Sequence, residues 1–194
     1  LVGRAVTVEQ VLAEVERGVV FYDQSGGGVT LTGGEPLFQP RFVIELLRAC
    51  KAHAIHTTLD TSGYVPWKVL AEAVNVTDLF LYDLKLMDEE RHRKYTGVSN
   101  RLILANLRSL AETGAEIIVR IPLIPGVNDD EDNLRRTGHF LADLPQITRV
   151  EVLPYHDIAR AKYSALELAY RLPEVLTPSS ERLEWARNMI RPCL

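Results

Sequence analysis

The chain has 194 residues, 46% of them apolar and 25% charged, with a formal net charge of -4. That is enough for one domain with its own core. It leaves no basic footprint for nucleic acid and no polybasic patch for a membrane surface. No apolar run approaches the length of a membrane span and no secretory leader opens the chain, so the expected location is the cytoplasm. Cys50 and Cys193, the two cysteines, lie too far apart in sequence for a metal-ligand cluster or a disulfide framework.

Thr7 and Gln10 have capping-box spacing, with Val8, Val11, Leu12 and Val15 following at helical intervals, and this helix is expected to end near Gly18. A strand over 29–32 then stops at Gly33-Gly34-Glu35-Pro36. The two glycines let the chain turn and let a ligand approach its peptide groups, and Pro36 forbids strand continuation. A tight turn with no ligand is the plainer reading of the same glycines. Pro40 opens a second helix, with Val43, Leu46, Leu47 and Cys50 on one face, where Cys50 reads as a small buried hydrophobe. A short strand over 55–59 ends in Asp60-Thr61-Ser62-Gly63, and a helix runs from Pro66 to about Asn75.

The next strand is expected over 79–86, carrying Asp83 and Lys85. His92-Arg93-Lys94-Tyr95 reads as a solvated loop, and Asn100 as the cap of a helix that Gly114 ends. A strand over 117–121 carries Arg120 and runs into the turn Pro125-Gly126-Val127-Asn128-Asp129. A helix over 131–144 stops at Pro145. The last strand, 150–153, ends Pro154-Tyr155-His156, and a closing helix over 178–190 is capped around Thr177. Strands alternating with helices predict βαβ units and a parallel sheet, and the short apolar strands suggest that both faces are covered.

Five strands run into polar or special residues near their C-terminal ends: Gly33-Gly34-Glu35, Asp60-Thr61, Asp83 with Lys85, Arg120, and Tyr155-His156. In a parallel α/β fold these ends share one face, and that face carries the site. Taken singly, each has a plainer role. Asp60 can cap its turn, Lys85 can be a solvated lysine, Arg120 can pair with Glu116 or Glu151, and His156 can be structural. Their joint occurrence favours a ligand bearing an amino group, a carboxylate and further polar parts.

In their order along the chain these segments resemble the radical S-adenosylmethionine (SAM) activating enzymes of glycyl radical enzymes, the pyruvate formate-lyase activating enzyme family. The resemblance rests on Thr32-Gly33-Gly34-Glu35-Pro36, Leu59-Asp60-Thr61-Ser62-Gly63, Asp83-Leu84-Lys85, and His92 with Tyr95-Thr96-Gly97 and Asn100. It continues through Arg120 with Ile121-Pro122-Leu123-Ile124-Pro125-Gly126, then Leu153-Pro154-Tyr155-His156, with Lys162-Tyr163 further on. It implies an incomplete, open (β/α)6 barrel of the radical SAM type with about five parallel strands present, as one partial domain over 1–194.

It also implies that Gly33, Gly34 and Glu35 hold the SAM amino group, that Lys85 meets its carboxylate, and that His156 contacts the nucleoside end with Arg120 nearby. Asp83 and Leu84 complete that set, and Asp60, Thr61 and Asp83 correspond to ligands of a monovalent cation. The implied reaction is one-electron cleavage of SAM by a [4Fe–4S] cluster, giving a 5′-deoxyadenosyl radical that takes hydrogen from a glycine of a partner glycyl radical enzyme. The implied electron donor is a flavodoxin or ferredoxin. The family's Cys-x-x-x-Cys-x-x-Cys loop belongs before residue 1, so the chain reads as a fragment without cluster ligands, expected to be inactive alone. Leu1-Val2-Gly3-Arg4 resembles the join after a ferredoxin-like insert, and Ile158-Ala159-Arg160 departs from a glycine frequent in the family. Two other functions fit the sequence: a radical SAM enzyme acting on a small molecule, and a non-redox nucleotide-binding module. The second lacks the Gly-Lys-Ser/Thr of a P-loop.

Overall fold

The computed structural model describes residues 4–156, 163 and 175–190. The elements in chain order are α1 (Val8–Glu16), α2 (Val19–Ser25), β1 (Gly28–Leu31), a 3-10 turn (Pro36–Phe38), α3 (Pro40–Ala52), β2 (His56–Thr61) and α4 (Trp67–Val74). There follow β3 (Leu79–Asp83), α5 (Glu89–Thr96), α6 (Arg101–Glu112), β4 (Glu116–Leu123), α7 (Glu131–Ala142), β5 (Arg149–Pro154) and α8 (Ser180–Ile190). The five strands form one open sheet in the order β1-β2-β3-β4-β5, every neighbouring pair parallel. The expected five-stranded parallel α/β sheet is therefore present.

The expectation that both faces are covered is corrected. Leu59, Phe80, Tyr82, Val119, Ile121, Leu123 and Val152 all join the main core, with apolar residues of α3, α4, α6, α7 and α8. These strand positions share one parity and hence one face of the sheet. The opposite parity carries Thr58, Asp60, Leu81, Asp83, Ile118, Arg120 and Glu151, and among the described residues it contributes nothing to the core cluster. Alternation of this kind belongs to a sheet with one face under helices and one face lining an open barrel interior. A smaller cluster, built on Leu46, Cys50 and Ile55, seats α1 and α2 against α3.

Four local expectations also change. Val19–Ser25 is a helix, closed by Gly26 in the left-handed region at φ 66°; its run of β-branched and aromatic residues hides Val19 and Tyr22 as a helical pair packed on the smaller cluster. Strand β3 ends at Asp83, so Lys85 stands in the following loop. The supposed loop around His92 is α5, capped by Asp88, whose carboxylate accepts from the Arg91 amide at 2.8 Å, and closed by Gly97 at φ 85°. At the closing helix, Ser179 rather than Thr177 caps, its hydroxyl accepting from the Arg182 amide at 3.2 Å.

Candidate functional site

The end of β1 is bare. A Cβ built on Gly33 or Gly34 would meet no heavy atom within 4 Å, so open space lies over both peptide groups. Glu35 is braced sideways instead of projecting into that space. Its carboxylate accepts from the Leu37 amide at 3.2 Å, the Thr61 hydroxyl at 2.8 and 2.9 Å, the Ser62 amide at 3.0 Å and the Ser62 hydroxyl at 2.7 Å. One side chain thus pins the end of β1 to the end of β2. Ser62 was not singled out in the sequence, although a hydroxyl beside the conspicuous Asp60-Thr61 pair was a visible signal.

The charged residues gather on the uncovered face. Register places Arg120 beside Asp83 on neighbouring strands, and β2 brings Asp60 alongside. The Arg120 guanidinium donates to Asp83 Oδ1 from Nε at 3.2 Å and from a terminal nitrogen at 2.9 Å, and the same terminal nitrogen donates to Asp60 Oδ1. Asp60 also accepts from the Thr32 hydroxyl at 3.0 Å, and the Lys85 ammonium lies 3.6 Å from Asp83 Oδ2. Two carboxylates and two cations leave the group close to neutral. The Asp60, Asp83 and Arg120 side chains are about one-fifth exposed and that of Lys85 is 35% exposed, so Lys85 is the member most open to a ligand. Among the described residues Arg120 forms its ion pairs with Asp60 and Asp83, and none with Glu116 or Glu151.

The other expected site residues separate. Thr61 sits on the opposite face of β2 from Asp60, is 2% exposed and gives its hydroxyl to Glu35. The side chains of Asp60, Thr61 and Asp83 are thus not brought to one point, and Arg120 stands between the two aspartates. Leu84 is 3% exposed and packs in the core, leaving only its backbone near the site. His156 is exposed, two residues beyond β5. His92 is buried, against the expectation of a solvated loop. Its Nδ1–H donates to the Val98 carbonyl at 2.8 Å, and burial, aided by the nearby Lys85 charge, lowers its pKa from the ordinary 6.5. Asn100 stands at the start of α6 without capping it through its side chain. Lys162 and the segment 158–160 lie outside the described residues.

The bare glycine turn and the open ammonium fit the two ends of an amino acid moiety, and to that extent the site fits SAM. A cluster does not fit these residues. Cys50 is fully buried in the α1–α3 cluster, Cys193 lies outside the described residues, and among the described residues no three His, Cys, Asp or Glu side chains are placed to hold a metal ion. A cleft of about 590 Å³ runs along the outer edge of β5, with Glu151 among its lining residues, and one of about 490 Å³ lies at the N-terminal ends of β1 and β2, away from the glycine turn. Among the described residues no helix is long and apolar enough to cross a membrane.

The family profile of the radical SAM superfamily matches residues 2–137. The chain is 44% identical over 97% of its length to the trans-4-hydroxy-L-proline dehydratase activating enzyme of Clostridioides difficile, and spans 63% of that protein. It is 42% identical over 95% of its length to the choline trimethylamine-lyase activating enzyme of Oleidesulfovibrio alaskensis, spanning 61%. Against pyruvate formate-lyase 1-activating enzyme of Escherichia coli the figures are 39%, 97% and 77%. The chain thus spans about three-fifths of the length of the first two relatives. Among solved structures, a domain of pyruvate-formate lyase-activating enzyme from Bacteroides vulgatus superposes with a TM-score of 0.73 at 36% identity, over 86% of this chain and 94% of that one. With a profile match over most of the chain and close relatives of one kind, the chain belongs to the radical SAM superfamily and, within it, to the activating-enzyme family of pyruvate formate-lyase.

Proposed function

We propose that this chain is the SAM-binding part of an activating enzyme that generates a radical on a glycyl radical enzyme. The observation that carries the reading is the joining of the bare Gly33-Gly34 turn and the Lys85–Asp83–Arg120–Asp60 group at one end of one sheet face. Lys85 binds the SAM carboxylate, while the peptide groups of Gly33, Gly34 and Glu35 receive its amino group, with the Glu35 carboxylate bracing that turn. Asp83 orients Lys85, Arg120 anchors Asp83, and the backbone of Leu84 lines the floor. His156 approaches the nucleoside end from beyond β5. SAM, once bound, is the source of the radical chemistry of this family. A monovalent cation on Asp60, Thr61 and Asp83 belongs to the same reading. It requires Arg120 to leave the two aspartates, because the guanidinium already supplies their counter-charge, and the Thr61 hydroxyl to leave Glu35.

The partner's glycine reaches SAM from the C-terminal ends of the strands, where the glycine turn and Lys85 open. A flavodoxin or ferredoxin supplies the electron, in the cytoplasm. The test uses the protein expressed from its complete gene, reduced anaerobically with SAM and a glycyl radical enzyme of the same organism. A glycyl radical doublet in electron paramagnetic resonance is expected with the wild type and not with Lys85→Ala plus His156→Ala. In calorimetry, Lys85→Ala is expected to weaken SAM binding about ten-fold or more, the worth of a good charged contact. Lys68→Ala on α4 is expected to leave affinity unchanged. SAM cleavage without a radical on any such partner would assign the protein to small-molecule chemistry, and equal affinities for the two lysine variants would remove Lys85 from the site.

A further inference from the structure

Beyond Asp83 the chain leaves the sheet, and a free loop would be expected to carry Lys85. Instead, the backbone from Leu84 to Met87 is gripped at five groups. The Leu84 amide donates to the Arg120 carbonyl at 2.9 Å, continuing the ladder by one bond. The Lys85 carbonyl accepts from Asn128 Nδ2 at 2.8 Å. The Leu86 and Met87 carbonyls accept from Asn100 Nδ2 at 2.9 and 3.0 Å, and the Met87 amide donates to Asn133 Oδ1 at 2.9 Å.

The three asparagines come from three places: the start of α6, the β4–α7 turn and the first turn of α7. Their exposures are 3%, 0% and 2%. They are also tied together and to the sheet. Asn133 Nδ2 donates to the Asn128 carbonyl at 3.0 Å, and Asn128 reaches the Pro122 carbonyl at 2.7 Å while accepting from the Ile124 amide at 2.7 Å. Burying a side-chain amide is costly unless its donors and acceptor are matched. Three such residues converging on four backbone residues describe a segment whose exact path matters. That segment sets where the Lys85 side chain leaves the backbone, on the same side as Asp83.

From this we infer that Asn100, Asn128 and Asn133 are positioning residues for ligand binding: they hold the Lys85 backbone in its binding-competent path before any ligand arrives. The inference rests on the reading of Lys85 as the carboxylate contact. A preset ammonium spares the ordering cost that a mobile loop would incur on binding. A merely structural tether would stabilise the fold and leave ligand selectivity untouched, whereas a positioning role makes the carboxylate contact depend on the asparagines.

The experiment compares two ligands, SAM and decarboxylated SAM, titrated into the protein expressed from its complete gene. Asn100→Leu and Asn128→Leu each remove the donors without adding charge. Each is expected to weaken SAM about ten-fold and the decarboxylated compound by less than about two-fold, because only the carboxylate contact is lost. Equal weakening of both ligands, or of neither, overturns the inference. Lys85→Met is run beside them. If the wild type fails to prefer SAM, or Lys85→Met leaves the preference intact, the underlying reading of Lys85 fails, independently of the asparagines. Hydrogen exchange on the wild type needs no variant to fold. The Leu84 and Met87 amides are expected to be protected without ligand, with no further protection when SAM is added. Fast exchange that slows only with SAM would mean that the ligand, and not the asparagines, orders the segment.

Discussion

Gly63 follows Thr61 and Ser62 and holds φ 70°, a left-handed conformation, directly against Tyr82. A Cβ there would run into the Tyr82 hydroxyl, which is buried and donates to the Ile103 carbonyl at 2.7 Å. Gly63→Ala is therefore expected to destabilise by at least about 2 kcal/mol, from backbone strain plus displacement of the tyrosine. Chemical denaturation reads this directly, and an unchanged midpoint would refute the packing. His92 gives a pH dependence. Burial lowers its folded pKa below the ordinary 6.5, so between the two values the unfolded chain binds more protons than the folded one. Stability is expected to fall as pH drops through about 6.5 toward the lowered value, and His92→Gln is expected to flatten that slope in thermal melts from pH 7.5 to 5. At this scale Cys50 was legible, because an apolar helix face predicts burial for a thiol. Arg120 was not: register sets Asp83 and Glu151 on either side of it on the same face, and only the folded chain shows the guanidinium turned to Asp83 and Asp60.

Among the elements, α5 shows how a helix hides when its apolar stripe is a single histidine. Asp88, Glu89-Glu90, Arg93-Lys94 and Gly97 are all helix-terminus signals, but no apolar periodicity joins them. The helix is held from outside. Arg91 donates to the Val127 carbonyl at 2.6 Å and to Asp130 Oδ2 at 2.6 Å, and Asp130 Oδ1 caps α7 by accepting from the Asn133 amide at 3.1 Å. The Arg91 guanidinium holds the Asp130 carboxyl below its ordinary range. Asp130→Ala removes the cap and one anchor of α5 together and is expected to cost about 1–2 kcal/mol. Asp130→Asn keeps the cap and is expected to recover about half. A denaturation series that ranks Asn no better than Ala would deny the cap its share.

Across the whole molecule, the helices gather on one face of a five-stranded parallel sheet and leave the other for chemistry. The contacts among the glycine turn, the charged group and the asparagines join segments between Thr32 and Asn133, so they form only when β1 to β4 and the start of α7 come together. These 194 residues hold two cysteines, one of them sealed in the core, and a [4Fe–4S] centre open to SAM needs three neighbouring thiolates. A preparation of these residues alone, treated anaerobically with iron and sulfide, is expected to show no cluster absorbance above background. A stoichiometric cluster would show that the thiolates come from an arrangement other than the one described.

The amino-acid sequence by itself determined the alternation of helices and strands, the parallel sheet, and the end of the sheet at which the glycine turn and the charged residues collect. Apolar periodicity, glycine and proline punctuation and short motifs are local signals, and each is visible within a few residues. What only the tertiary structure decided are relations between distant segments. Glu35 turns to Thr61 and Ser62, Thr61 and Leu84 turn away from the site, and Arg120 neutralises Asp60 and Asp83. Three asparagines, from the start of α6, the β4–α7 turn and the first turn of α7, hold the backbone around Lys85. Strand parity sends successive side chains to opposite faces, so adjacency in sequence separates Asp60 from Thr61. Register then joins residues tens of positions apart.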